Sequence, residues 1–170
     1  GFYALSHRML ILPSEVLGRA VASVFLSRFA EATHEGDQIM MMLTKTTLVL
    51  AAIGILPFGL ILAFGPDLFS FAFGSQWYEA GEYARWMAIF LFVSFVARPS
   101  SQSLMVQRRQ RFLLLWNIAL IVSIVIVLAL GSNVLGYALA TIAAYSVTTA
   151  LFYVLLIIEG FRCANAYRTS

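Results

Sequence analysis

Four charged side chains lie inside stretches that are otherwise apolar enough to cross a lipid bilayer: Arg8, Glu15, Arg19 and Arg98. An ionised group at the bilayer centre costs about 2.5–3.5 kcal/mol on insertion scales, so four facing lipid would cost on the order of 10 kcal/mol. They must therefore face one another, water or an anionic ligand. The excess of arginine over glutamate favours the binding of a negatively charged molecule.

Three of these charges share one side of a predicted helix. At 100° per residue, Arg8, Glu15 and Arg19 fall within an arc of about 60°. Glu15 precedes Arg19 by four residues, which is the favourable order for an ion pair along a helix. This stripe predicts a helix that lines a polar cavity. The alternative is structural: Glu15 and Arg19 neutralise each other, and Arg8 extends to the membrane interface.

Arg98 belongs to a second predicted helix. Its helical face carries the polar side chains of Ser94, Ser101 and Gln102. Pro99 removes one backbone hydrogen bond, and a broken helix at membrane depth is tolerated where it lines a cavity. We therefore predict a second cavity-lining segment. The alternative is that Arg98 anchors the helix at the level of the headgroups.

The elements that carry these residues are predicted from composition. The 170 residues are 61% hydrophobic and 11% charged, whereas a soluble domain carries about a quarter charged residues. Apolar runs of about 20 residues predict transmembrane helices. The chain is thus predicted to be an all-α, polytopic transmembrane bundle without a soluble domain, and Pro57 is predicted to kink the second helix. Five spans are predicted, at about residues 2–29, 46–64, 83–106, 112–130 and 135–158.

Basic residues are concentrated in alternate connections between these spans. Segment 66–82 is instead acidic and aromatic. Because basic loops stay in the cytoplasm, the C-terminus is predicted to be cytoplasmic in a multi-pass membrane protein. Anionic lipid headgroups explain the cluster at residues 108–111, so membrane lipids are expected partners and nucleic acid is not. The basic residues of the connections and tail are Arg28, Lys45, Arg108, Arg109, Arg111, Arg162 and Arg168.

Enzymatic chemistry has little support in this sequence. His7 and His34 are far apart, and Cys163 is the single cysteine, so neither a metal-ligand spacing nor an internal disulfide is present. No phosphate-binding glycine loop or nucleophile motif occurs. We expect no enzyme, no catalytic residue, no cofactor and no metal. Because the sequence begins at Gly1, it is expected to be a piece of a longer protein.

Several segments together resemble a known family. Residues 1–13 read GFYALSHRMLILP, residues 73–81 read FGSQWYEAG, and residues 107–110 read QRRQ. These are similar to conserved segments of Wzx-like polysaccharide flippases, in the multidrug/oligosaccharidyl-lipid/polysaccharide exporter superfamily. Residues 25–30 resemble a further segment, although Leu26 and Ser27 replace its usual proline. The resemblance covers about residues 1–115.

The resemblance implies a fold, a cargo and a location. The spans would be part of a carrier of about 12–14 helices whose halves rock around a central site. The carrier would flip polyprenyl-pyrophosphate-linked oligosaccharide across the bacterial inner membrane, for surface polysaccharide or lipopolysaccharide synthesis, alongside other polysaccharide assembly proteins. Arg8, Arg19 and Arg98 would attract the pyrophosphate, and Glu15 would hold Arg19 or take part in ion coupling.

Two other functions fit the same sequence. One is a cation-coupled exporter of small molecules, although three arginines against one glutamate disfavour a cationic cargo. The other is a non-transporting membrane assembly subunit whose buried charges pair with the spans of a partner.

Overall fold

The described part of the chain is built from helices and short turns. The computed structural model describes residues 36–131 and 138–168. These contain four α-helices, which confirms the predicted all-α class, and each is long and apolar enough to cross a membrane. The predicted first span, at about residues 2–29, lies outside the described residues. The helices are α1 (Gly36–Phe73), α2 (Tyr78–Val106), α3 (Gln110–Leu130) and α4 (Ala138–Arg168), and a 3₁₀ turn (Ser75–Trp77) joins α1 to α2.

Several helices are longer than predicted. The acidic and aromatic segment 66–82 was predicted as a connection, but it is largely helical, because α1 continues to Phe73 and α2 begins at Tyr78. Burial against α2 explains the extension of α1, since Phe69 is only 7% exposed and packs with Ala80 and Ala84. Only Gly74, at φ 99°, and the 3₁₀ turn remain to reverse the chain.

The kink in α1 lies away from the predicted position. The backbone departs from helical values at Phe64 (φ −122°, ψ 17°), two residues before Pro66, and not at Pro57. A proline lacks the amide hydrogen of the helix ladder, so Pro66 cannot bond back to the carbonyl of Leu62 in the turn that contains Phe64. At Pro66 the bent chain packs directly against Gly81 of α2.

Helices α1, α2 and α4 form the core of the bundle. Leu50 and Phe58 of α1 pack with Phe95 of α2, and Ala150 of α4 completes the same cluster. The first turns of α1 meet the ends of α2 and α4 around Leu43 and Ala164. Thus α1 runs antiparallel to α2 and α4. By contrast, α3 is peripheral, and Leu120 is its one buried residue.

The described charges separate toward the two ends of this bundle. One end, called the basic end below, carries the exposed side chains of Lys45, Arg108, Arg109, Arg111 and Arg162. The opposite end, called the acidic end, carries Asp67, Glu79 and Glu82, together with Arg85. The arrangement repeats in three dimensions the alternation of basic and acidic connections along the sequence.

Candidate functional site

Arg98 is the one predicted site residue that the described part of the chain contains. It lies in α2, eight residues before the helix ends at Val106, or about 12 Å along the axis. Its side chain is half-buried, and it interacts electrostatically with Tyr153 of α4. If the apolar core of a bilayer is about 30 Å thick and centred on α2, Arg98 lies inside that core, near its basic-end boundary.

The predicted break at Pro99 does not occur. Pro99 is buried, and α2 remains one helix from Tyr78 to Val106. The neighbouring hydroxyls bond to their own helix: Ser94 donates to the carbonyl of Leu91 at 2.9 Å, and Ser101 donates to that of Ala97 at 3.4 Å. The hydrogen bonds of these two hydroxyls are therefore made within α2, and of the predicted polar face Arg98 and Gln102 remain half-buried.

Helix α4 also carries hydroxyl groups at buried positions. Ser146 and Thr149 are buried, and Tyr153 follows one turn further along α4. Tyr153 packs where three helices meet, beside Leu104 of α2 and Trp116 of α3. We call the contact between α2 and α4 around these groups the α2–α4 seam.

The α2–α4 seam contains hydroxyls without hydrogen bonds. Within residues 36–131 and 138–168, the buried hydroxyl oxygens of Ser100, Ser146 and Thr149 have no hydrogen-bond partner. Leaving a buried hydroxyl unpaired costs about 1–3 kcal/mol. The seam thus holds a set of polar groups whose hydrogen-bonding capacity is unused in this arrangement.

A glycine allows the two helices of the seam to touch. Gly160 of α4 lies against Ser100 of α2, and a Cβ atom built on Gly160 would come within 2.6 Å of the Ser100 Cβ atom. Small residues that permit close approach are the usual basis of helix pairing in membranes. The contact holds the seam closed on the basic-end side of Arg98.

A carboxylate that sequence reasoning missed lies at the basic end. Glu159 of α4 forms an ion pair with Arg109, from the α2–α3 turn, at 3.8 Å. The thiol of Cys163 donates to the same carboxylate at 3.6 Å. The predicted fifth span stopped at Ile158, so Glu159 was counted as part of the tail. Its position directly after a long apolar run was the signal that could have singled it out.

The other predicted site residues cannot be placed beside Arg98. Arg8, Glu15 and Arg19 lie outside the described residues, so their shared stripe and their pyrophosphate and coupling roles stay predictions. Among residues 36–131 and 138–168, no three His, Cys, Asp or Glu side chains are grouped to hold a metal ion.

The four long apolar helices define a multi-pass α-helical membrane protein. A family model described as polysaccharide biosynthesis protein matches residues 1–82 of the chain. This match confirms the predicted resemblance over that part and indicates a role in polysaccharide biosynthesis. No curated protein and no solved structure matches the chain. The matched region includes α1 and the first turn of α2, whereas Arg98, α3 and α4 lie beyond it.

Proposed function

We propose that this chain is part of a carrier that flips polyprenyl-pyrophosphate-linked oligosaccharide across the bacterial inner membrane. Its role is transport and not catalysis, and its product serves surface polysaccharide or lipopolysaccharide synthesis. The single observation that carries the proposal is the position of Arg98, a half-buried guanidinium inside a membrane-spanning helix. The family match over residues 1–82 supports the polysaccharide context.

The chemistry of the cargo fits an arginine at this depth. The pyrophosphate of a lipid-linked sugar begins at the headgroup level, and it must enter a medium in which an unpaired charge is costly. A guanidinium can bind phosphate oxygens with two parallel hydrogen bonds. In this proposal Arg98, about 12 Å from the basic end of α2, draws the pyrophosphate inward from that side.

The charges of the bundle support one orientation in the membrane. The basic end carries exposed lysine and arginine side chains, and such segments are retained in the cytoplasm. In this proposal the basic end and the C-terminus are cytoplasmic, and Arg98 receives cargo from the inner leaflet. The partners are the lipid-linked oligosaccharide, membrane lipids and other proteins of polysaccharide assembly.

The test compares Arg98 with a matched arginine in the full-length protein. We expect Arg98→Ala to reduce surface polysaccharide at least tenfold, because it removes the charge inside the membrane. Arg111→Ala removes an arginine that is exposed at the basic end, and it should leave export within twofold of the parent. Surface polysaccharide is measured on cells at equal membrane levels of each protein.

Three further outcomes bear on the proposed role of Arg98. Arg98→Lys keeps the positive charge but loses the planar fork, so partial export is expected. Normal export by Arg98→Ala at parental membrane levels would contradict the proposed role of Arg98. Accumulation of lipid-linked repeat units on the cytoplasmic side of the membrane in cells that express Arg98→Ala would support the flipping step in particular.

A further inference from the structure

Helix α1 is divided into two arms by the kink at Phe64. The long arm, residues 36–63, runs through the core of the bundle, and the short arm, residues 66–73, ends at Gly74. Phe64 is the residue with non-helical dihedral angles inside α1. Pro66 cannot donate the hydrogen bond that would tie it to the preceding turn. The backbone between the arms is therefore held by fewer helical hydrogen bonds than either arm.

At the kink, α1 meets α2 through backbone contact without intervening side chains. A Cβ atom built on Gly81 would lie 2.3 Å from the Pro66 Cα atom, and one built on Gly65 would lie 2.8 Å from the Gly81 carbonyl oxygen. Gly65, Pro66 and Gly81 are all buried. This backbone contact coincides with the kink, and one turn further along the short arm Phe69 packs with Ala80 and Ala84 of α2.

Arg85 connects α2 to the long arm just before the kink. Its Nη2 atom donates to the carbonyl oxygen of Ala63 at 3.3 Å, and its Nη1 atom donates to Glu82 on its own helix, also at 3.3 Å. Glu82 thus orients the guanidinium, and the guanidinium binds a carbonyl directly before the non-helical residue. The side of the short arm away from α2 is open, since Phe71 is 93% exposed.

We propose that residues 64–66 form a hinge, on which the short arm of α1 swings against α2, and that Arg85 is the positioning residue that holds its present angle. The glycine contact at Gly81 is the pivot, because at that point the two backbones touch with no side chain between them. This inference is independent of the cargo, since it concerns the movement of an element and not what is bound.

The size of the expected movement follows from helix geometry. The eight residues of the short arm extend about 12 Å, so a bend of about 20° displaces the tip by about 4 Å. A displacement of this size is resolved by electron–electron distance measurements between spin labels. One label is placed on the arm and the other on α3, at Ile126, which is half-exposed and distant in sequence.

The experiment uses the full-length protein in lipid with Cys163→Ala as background. Labels at Phe71→Cys and Ile126→Cys report the short arm, and labels at Leu56→Cys and Ile126→Cys report the long arm. We expect Arg85→Gln to broaden the first distance distribution, with new distances displaced by about 4 Å, and to leave the second unchanged. Pro66→Ala, which restores the missing amide hydrogen, should narrow the first distribution.

Each remaining result counts against the hinge. An unchanged Phe71–Ile126 distribution in Arg85→Gln would show that Arg85 does not hold the arm. Equal broadening of both pairs would indicate general loosening of the bundle. Neither distance distribution depends on export. A negative result in this experiment therefore does not affect the flippase proposal, and loss of export in Arg98→Ala does not affect the hinge proposal.

Discussion

At the scale of single residues, the described glycines differ sharply in what surrounds them. Gly160 is buried against Ser100, with 2.6 Å between a built Cβ atom and the serine Cβ atom, whereas Gly59 has nothing within 4 Å. Both lie within helices, so the intrinsic preference for alanine over glycine, about 1 kcal/mol, applies equally to both. Any difference between the two substitutions therefore measures the packing of the α2–α4 seam.

We predict that Gly160→Ala destabilises the protein by about 1–3 kcal/mol, because the added methyl group forces α2 and α4 apart. Gly59→Ala should be neutral, or stabilising by up to about 1 kcal/mol. Unfolding in detergent, followed by loss of helical signal, compares the two variants. Equal free energies of unfolding for the two variants would contradict this prediction, because the α2–α4 seam would then accommodate the methyl group without loss of stability.

At the scale of helices, α3 is distinguished by how little of it is buried. Leu120 is 8% exposed and is its buried residue, whereas Leu115 is 66% exposed. We expect the exposed side of α3 to face lipid, which solvates leucine as well as a protein interior does. What Leu120 contributes is therefore mainly packing, and Leu115 contributes little to the stability of the bundle.

We predict that Leu120→Ala costs about 1–3 kcal/mol, at or below the low end of buried leucine truncations, because only the cavity term remains in lipid. Leu115→Ala should change the free energy of unfolding by less than about 0.5 kcal/mol. Unfolding in lipid bicelles provides the measurement. A cost for Leu115→Ala equal to that of Leu120→Ala would place a further helix of the protein against the α3 surface.

The helices themselves were predictable, but their ends and bends were not. Apolar runs identify the cores of α1 to α4, because length and hydropathy alone decide whether a segment can span a bilayer. The extension of α1 past Pro66 depends on Phe69 packing against α2, which is a contact distant in sequence. The choice of Phe64 over Pro57 depends likewise on Gly81 and Arg85, neither of which belongs to α1.

The candidate site was likewise predictable only in part. Arg98 is conspicuous in the sequence because an arginine inside an apolar run is expensive. Tyr153, which interacts with Arg98, and the buried Ser146 and Thr149 belong to a helix some 50 residues later, which no local pattern brings to α2. Periodicity assigned polar roles to Ser94 and Ser101, but both bond to carbonyls of their own helix.

At the scale of the whole molecule, charge separation is the property that links fold to orientation. Because α1 runs antiparallel to α2 and α4, connections that are distant in sequence collect at the same end of the bundle. Lys45, Arg109 and Arg162 thereby share the basic end, while Asp67 and Glu79 share the acidic end. The basic residues that the positive-inside rule counts thus come from several connections and not from one loop.

This separation predicts which end can be reached from outside the cell. Ser75 and Arg111 are both exposed and lie at opposite ends of the bundle. In a Cys163→Ala background of the full-length protein, Ser75→Cys should react with a membrane-impermeant maleimide on intact cells. Arg111→Cys should react only after the membrane is permeabilised, because basic segments are retained in the cytoplasm. The reverse pattern would contradict the orientation and would place Arg98 near the outer leaflet, where it could not receive cargo from the cytoplasmic side.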